Sequence, residues 1–204
     1  MPTRTYVSPA RTAAADEKRA RVLAAATALL RKEASIAGVS MDAVAKAADV
    51  TRLTVYNQFQ SRRGLLEAVF ERIASEGGLG RIPEAMAKTN PAAALERLIE
   101  IFCDFWSHDE AIGRLSEAAA SDPEFAQAIG ERVERRRKSL SVLLERAIPR
   151  GVSAKNRRDA VDLIFALTSY PVFAMLSDGR TPEMVCTIIK ASARAALDHA
   201  ATKA

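Results

Sequence analysis

Cysteine, histidine and aromatic residues are all scarce in this 204-residue chain. The two cysteines, Cys103 and Cys186, form neither a zinc-ligand spacing nor a disulfide framework. Two histidines leave little for acid–base work. There is no Ser-His-Asp set, no pair of metal ligands at helical spacing and no Walker lysine behind a glycine loop. An enzyme is therefore the remote reading, and neither a cofactor nor a metal is expected. No apolar run reaches the roughly 18 residues of a membrane helix. The longest, Leu163 to Leu176, is interrupted by Thr168, Ser169, Tyr170 and Pro171. Met1 to Ala15 lacks the apolar core of a secretory signal. A reducing, cytoplasmic location with no membrane partner is the expectation. Strand signals are also missing: β-branched runs are short and period-two alternation does not persist.

What is present is charge, unevenly placed. Residues 1–74 hold 12 basic and 7 acidic side chains, a net of +5. Residues 75–204 hold 18 of each and are neutral. A basic module joined to a neutral one suggests that the first meets a polyanion and the second does something else. A basic membrane-surface helix fits poorly, because this third is punctuated into short segments instead of one long amphipathic face.

Helix signals recur throughout, so an all-α fold is expected. Val22, Ala26, Leu29 and Leu30 trace a stripe on a helix over roughly 17–33. Ser40, Thr51 and Ser61 are side chains suited to cap helices over 41–48, 52–59 and 62–75. Gly77, Gly78 and Gly80 read as a flexible break over 76–83. Beyond it, Asn90-Pro91, Asp122-Pro123 and Thr181-Pro182 each set a capping residue before a proline at the first helical position. With Ser153 as a further cap, helices are expected over about 91–107, 109–120, 123–148, 154–176 and 182–200. Pro171 should kink or break its helix. The expected organisation is a mobile arm over 1–15, a basic helical domain over 16–75 and a neutral helical domain over 76–204.

Two short helices joined by Asp49-Val50-Thr51 make a helix-turn-helix pattern. Val44, Ala45 and Ala48 face one way, and Val50, Val55 and Phe59 can pin the second helix to a core. Arg52, Leu53, Thr54, Tyr56, Asn57 and Gln58 are left mostly outward. A helix that reads a DNA groove needs this mixture. Guanidinium and amide groups match base edges, an aliphatic group meets a thymine methyl, and hydroxyls hold phosphates.

The stretch from Ser40 to Phe59, followed by Ser61-Arg62-Arg63-Gly64-Leu65-Leu66, resembles the DNA-binding domain of TetR/AcrR-family transcriptional regulators. The resemblance runs from about Lys18 to Phe70. It rests on the Ala47-Ala48 pair before the turn, on Thr54-Val55-Tyr56-x-x-Phe59, and on Ser61-Arg62-x-x-Leu65-Leu66. Asp49 stands where the family commonly has glycine, and it is among the residues that tolerate a left-handed backbone. Leu53 is bulkier than the usual residue there. The resemblance implies phosphate contacts from Ser40, Thr51, Tyr56, Gln58 and Arg62 or Arg63. It implies base contacts from Arg52, Leu53, Thr54 and Asn57. Lys46 reads as a solvated charge. Arg4 and Arg11 on the arm are minor-groove candidates against a plain unstructured tail.

A single helix-turn-helix reads too few base pairs, so a homodimer on a double-stranded palindromic operator is expected. The resemblance implies an interface made by the last two helices. Leu163, Ile164, Leu167, Phe173, Met175, Val185, Ile188, Ile189 and Leu197 supply apolar surface there. It also implies an inducer pocket in the second domain. Phe102, Phe105, Trp106, Ile112, Leu115, Phe125, Phe165 and Phe173 are the candidates to line it, and they suit an apolar or aromatic effector. Arg135, Arg136, Arg137 and Lys138 follow Glu131 and Glu134 at i,i+4 spacing and read as a salt-bridged solvated face. His108 reads as a loop or cap residue, not a ligand. The expected function is a DNA-binding repressor released by a small molecule. The alternative is a regulator without one, controlled by a protein partner or by abundance.

Overall fold

The computed structural model describes residues 9–33 and 35–202. These residues form α-helices and short 3-10 turns, with no strand among them. The order is α1 (Pro9–Lys32), α2 (Met41–Ala47), α3 (Arg52–Phe59), α4 (Arg62–Glu76), α5 (Ile82–Ala87), α6 (Pro91–His108), α7 (Ala111–Ser121), α8 (Pro123–Ala147), α9 (Ala154–Leu167), α10 (Tyr170–Leu176) and α11 (Pro182–Thr202).

The helix starts follow from local chemistry. The hydroxyl or carbonyl oxygens of Ser40, Thr51, Asn90 and Ser153 each accept the backbone N–H three residues on at 3.1 Å. Ser61 does the same for Gly64 at 3.0 Å and Asp122 for Phe125 at 3.0 Å. Each bond satisfies one of the four N–H groups that a helix start leaves without a partner, contributing about 1 kcal/mol.

Four expectations need correction. Helix α1 starts at Pro9 and not near Glu17, so residues 9–15 of the expected arm are helical. Proline suits a first turn, and Ala10, Ala13, Ala14 and Ala15 are strong helix formers. Arg4 lies outside the described residues. The glycine stretch is not a flexible break: a 3-10 turn over Leu79–Arg81 leads directly into α5. Gly78 has φ +82, and a Cβ on Gly77 would lie 2.9 Å from the Phe105 ring, so these glycines serve a tight turn and a close approach. The helix expected over 154–176 is two, α9 and α10, bent by 59° at Thr168-Ser169. Pro171 enters the first turn of α10, where its missing N–H costs nothing.

The fourth correction concerns the two cores. One joins α1–α4 to Phe105, to Ala111, Ile112, Leu115 and Ala118 of α7, and to Phe125 of α8. The other joins α5, α6, α8, α9, α10 and α11. The helix-turn-helix unit is therefore not closed at residue 75. Arg31 of α1 donates from Nε and Nη2 to Asp109 at 2.9 and 2.5 Å. Arg114 of α7 donates to the Glu33 carbonyl at 3.0 Å. These bonds tie α7 to α1 and make α7 the physical link between the two halves. Cys103 on α6 is buried, and its hydrogen bond to Cys186 together with that burial pushes the thiol up, so it stays protonated.

Candidate nucleic-acid interface and regulatory cavity

The α2–turn–α3 unit is built on a left-handed residue. Asp49 has φ 53, and Val50 N–H reaches back to the Ala45 carbonyl at 3.0 Å. Val44, Ala45 and Ala48 are buried on one side of the turn, Val55 and Phe59 on the other. Burying Val55 and Phe59 contributes about 1.5–3 kcal/mol each, which holds α3 by its inner face. Arg19 of α1 lies 4.4 Å over the Phe59 ring and donates to the Gln58 carbonyl at 3.3 Å. That clamp has no local sequence signal, because it spans two helices.

The outer face of α3 carries Arg52, Leu53, Tyr56 and Asn57, all exposed. Leu53 is 66% and Tyr56 53% accessible, an unusual exposure for apolar and aromatic side chains. Thr51 Oγ1 lies 2.9 Å from Thr54 Oγ1, and Thr54 is half-buried. Arg52 pairs with Asp42 of α2 at 3.1 Å. Both groups are largely exposed, so the pair contributes little and is easily exchanged for another partner. Arg63 pairs with Glu67 at 3.3 Å on the exposed side of α4. Ser40 is half-buried at the start of α2, and Lys46 is exposed.

Two expected phosphate ligands are placed otherwise. Arg62 turns inward: Nε donates to the Val39 carbonyl at 2.9 Å and Nη2 to the Ile36 carbonyl at 2.6 Å. It holds the entry to α2. Gln58 is half-buried, and its Oε1 is buried with no hydrogen-bond partner among the described residues.

Where the two cores adjoin, a cavity of about 650 Å³ lies between α4, α6, α7, α8 and the α9–α10 break. Phe102, Phe105, Trp106, Ile112, Leu115 and Phe165 line it. Phe125 and Phe173 do not, which corrects the expected set. Phe125 is fully buried in the first core, and Phe173 is buried in the second because the bend turns α10. The same bend brings Tyr170 and Pro171 to the cavity wall. Burial pushes the Tyr170 phenol up, so it remains a neutral donor.

Phe70, Arg132, Arg135 and Arg136 also line the cavity and were not expected there. The run 135–138 is thus not a uniformly solvated face. Arg137 pairs with Asp162 of α9, but Arg136 points inward. Only the packing of α8 against α6 and α9 selects between them.

The expected dimer residues divide in the same way. Ile164, Phe173, Val185 and Ile189 are buried within the chain and are core. Leu163 and Met175 are exposed, and so is Met184 of α11, which was not among the expected residues. Among the described residues, no group of His, Cys, Asp or Glu is placed to hold a metal ion, and no single helix is long and apolar enough to cross a membrane.

Residues 22–69 match the model of the bacterial regulatory proteins of the tetR family. Residues 88–186 match the tetracyclin repressor-like C-terminal domain. The chain belongs to the TetR family. It is 33% identical over 115 residues to the HTH-type transcriptional regulator EthR of Mycolicibacterium smegmatis, an alignment that spans 55% of the chain and 52% of that relative. A transcriptional regulator from Rhodococcus sp. Rha1 has a similar solved structure, with TM-score 0.68 and 20% identity over 89% of this chain and 97% of that one. A TetR-like regulator from Rhodococcus sp. RHA1 has TM-score 0.63 and 17% identity over 86% and 93%. At such identities these two establish the shared fold. The family and these relatives are regulators, not enzymes.

Proposed function

We propose that the chain is a dimeric, sequence-specific repressor whose α3 enters the major groove of a palindromic operator. The observation that carries this is the outer face of α3: a cation, an amide, a phenol and an aliphatic side chain, all exposed on a helix anchored by Val55 and Phe59. Arg52, Leu53, Thr54 and Asn57 meet base edges. Ser40, Thr51, Tyr56 and Arg63 meet phosphates. Arg62 positions α2 for that contact through its two carbonyl bonds. Gln58 reaches a phosphate only by turning its buried amide outward.

The dimer forms through α9 and α11, with exposed Leu163 and Met184 at its centre. The reading heads of the two copies then fall on half-sites about one helical turn, roughly 34–36 Å, or a multiple apart. A small apolar or aromatic effector occupies the cavity. Ile112 and Leu115 of α7 line that cavity, and α7 is bound to α1 through Asp109 and Arg114. A ligand that displaces α7 therefore moves the reading head. Effector and operator must weaken each other by the same factor.

The test is fluorescence anisotropy of the protein on random-sequence DNA and on the DNA upstream of its own gene, at several salt concentrations. Tight binding to a palindromic subset is the expected result. Weak, steeply salt-dependent binding to every sequence would mean that the basic unit meets DNA without reading it.

A further inference from the structure

The arginines around the cavity differ in how their charge is met. Arg132 is paired with Glu71 at 2.5 Å and lies 5.3 Å over the Phe70 ring. Arg137 is paired with Asp162 and lies 4.4 Å over Phe165. Arg136 has no carboxylate partner among the described residues. Its Nη1 donates to the Thr168 carbonyl at 2.5 Å, at the α9–α10 break, where Trp106 Nε1 donates as well at 3.0 Å. Its guanidinium lies 4.2 Å from the centre of the Phe165 ring and 5.7 Å from that of Phe102. Nε and Nη2 find no acceptor among the described residues. Burial, and then the neighbouring Arg137, draw this guanidinium down to about 10, so the site disfavours its charge relative to an exposed arginine.

A partly buried charge without a counter-ion is unfavourable, and ring faces and one carbonyl only partly offset that. The charged side chains lining the cavity are Glu71, Arg132, Arg135 and Arg136, three cations against one anion that is already paired. The remaining wall is mostly apolar and aromatic. We infer that the cavity takes an organic anion, an apolar or aromatic body ending in a carboxylate, with the free edge of the Arg136 guanidinium holding the carboxylate. The inference rests on the cavity being the effector site and narrows that effector to one chemical class. A guanidinium offers a planar fork to both carboxylate oxygens, and a neutral amide cannot accept from it equally.

The site has a built-in reporter, because Trp106 is the chain's one tryptophan and lines the cavity. Phenylbutyrate and its neutral amide, matched in shape, are titrated into the intact protein by calorimetry and by Trp106 emission. Wild type is expected to prefer the carboxylate by about tenfold or more. Arg136→Met is expected to weaken the carboxylate by about that factor and to leave the amide unchanged. Arg136→Lys, which keeps the charge, retains part of the preference. Equal affinity for the two probes in wild type, no saturable binding of either, or an undiminished preference in Arg136→Met would each overturn the inference. If Arg136→Met does not fold, judged by circular dichroism, the wild-type pair and Arg136→Lys decide. The effector reading fails separately: an Arg136-dependent carboxylate that leaves the operator complex intact retires that reading alone. Release of DNA by the amide as readily as by the carboxylate retires the anion alone.

Discussion

Asp49 and Gln60 are the non-glycine residues with positive φ among those described, and they bracket α3. A left-handed backbone costs an ordinary residue roughly 1–2 kcal/mol. Glycine removes that cost but loses about 0.5–1 kcal/mol through its freer unfolded chain. Aspartate bears less of that cost than most residues, so Asp49→Gly should stabilise the protein only slightly, by about 0.5 kcal/mol or less, seen as a small rise in urea midpoint at unchanged slope. A loss of stability would show that the Asp49 side chain supports the turn. On the outer face, Tyr56→Phe removes one hydroxyl and no charge. It should weaken all DNA sequences alike, by about fivefold, and leave the salt dependence unaltered. Unchanged affinity would remove Tyr56 from the phosphate contacts. Arg52→Ala and Asn57→Ala should instead flatten the preference among bases at single operator positions, as selection from a randomised operator would reveal.

Two interactions organise the elements. Arg62 joins the start of α4 to the segment before α2. Arg62→Met should lower stability by about 1–2 kcal/mol, since two part-buried carbonyls lose a charged donor. A variant with full stability and weaker DNA binding would restore Arg62 to the phosphate contacts and refute its positioning role. The second interaction is Arg31 with Asp109, whose side chain is 1% exposed. Burial acts to raise the Asp109 carboxyl, but the Arg31 bonds and the Ala111 N–H outweigh it, so its value lies below the ordinary one. A depressed carboxylate stabilises the fold fully above its unfolded value, about 3.9, and stops doing so as pH falls through the folded value. The stability gap between wild type and Asp109→Asn should thus be constant above about pH 5 and shrink in acid. A gap independent of pH would mean that the Asp109 charge is not what α7 holds on to.

At the scale of the whole molecule, the proposed reading of a two-half-site operator depends on assembly. Met175 is 71% exposed, and Leu163 and Met184 stand out from α9 and α11. Leu163→Arg should give a monomer by light scattering and reduce affinity for a two-half-site operator by at least about tenfold, because the linked second contact is lost. A variant that remains dimeric would move the interface elsewhere. The cavity and the reading head meet at α7, which shares a core with α1 and α4 and lines the cavity with Ile112 and Leu115. The two halves of the chain are coupled through packing and not through a hinge at the glycines.

The helix starts at Ser40, Thr51, Ser61, Asn90, Asp122 and Ser153 were legible because a cap is made within three residues of chain. The inward and outward faces of α3 were legible for a similar reason: helical period alone separates Val55 and Phe59 from Arg52, Tyr56 and Asn57. The sequence by itself thus determined the helical class, the reading unit and its exposed face. Tertiary structure decided the rest. The alliance of α7 with α1, the inward turn of Arg62, the departure of Phe125 and Phe173 from the cavity, and the choice of Arg136 over Arg137 to face it all depend on how helices distant in sequence cross. Local pattern records which residues are apolar or charged. It does not record which of several apolar surfaces each helix will meet, because that is settled only when all of them compete for burial at once.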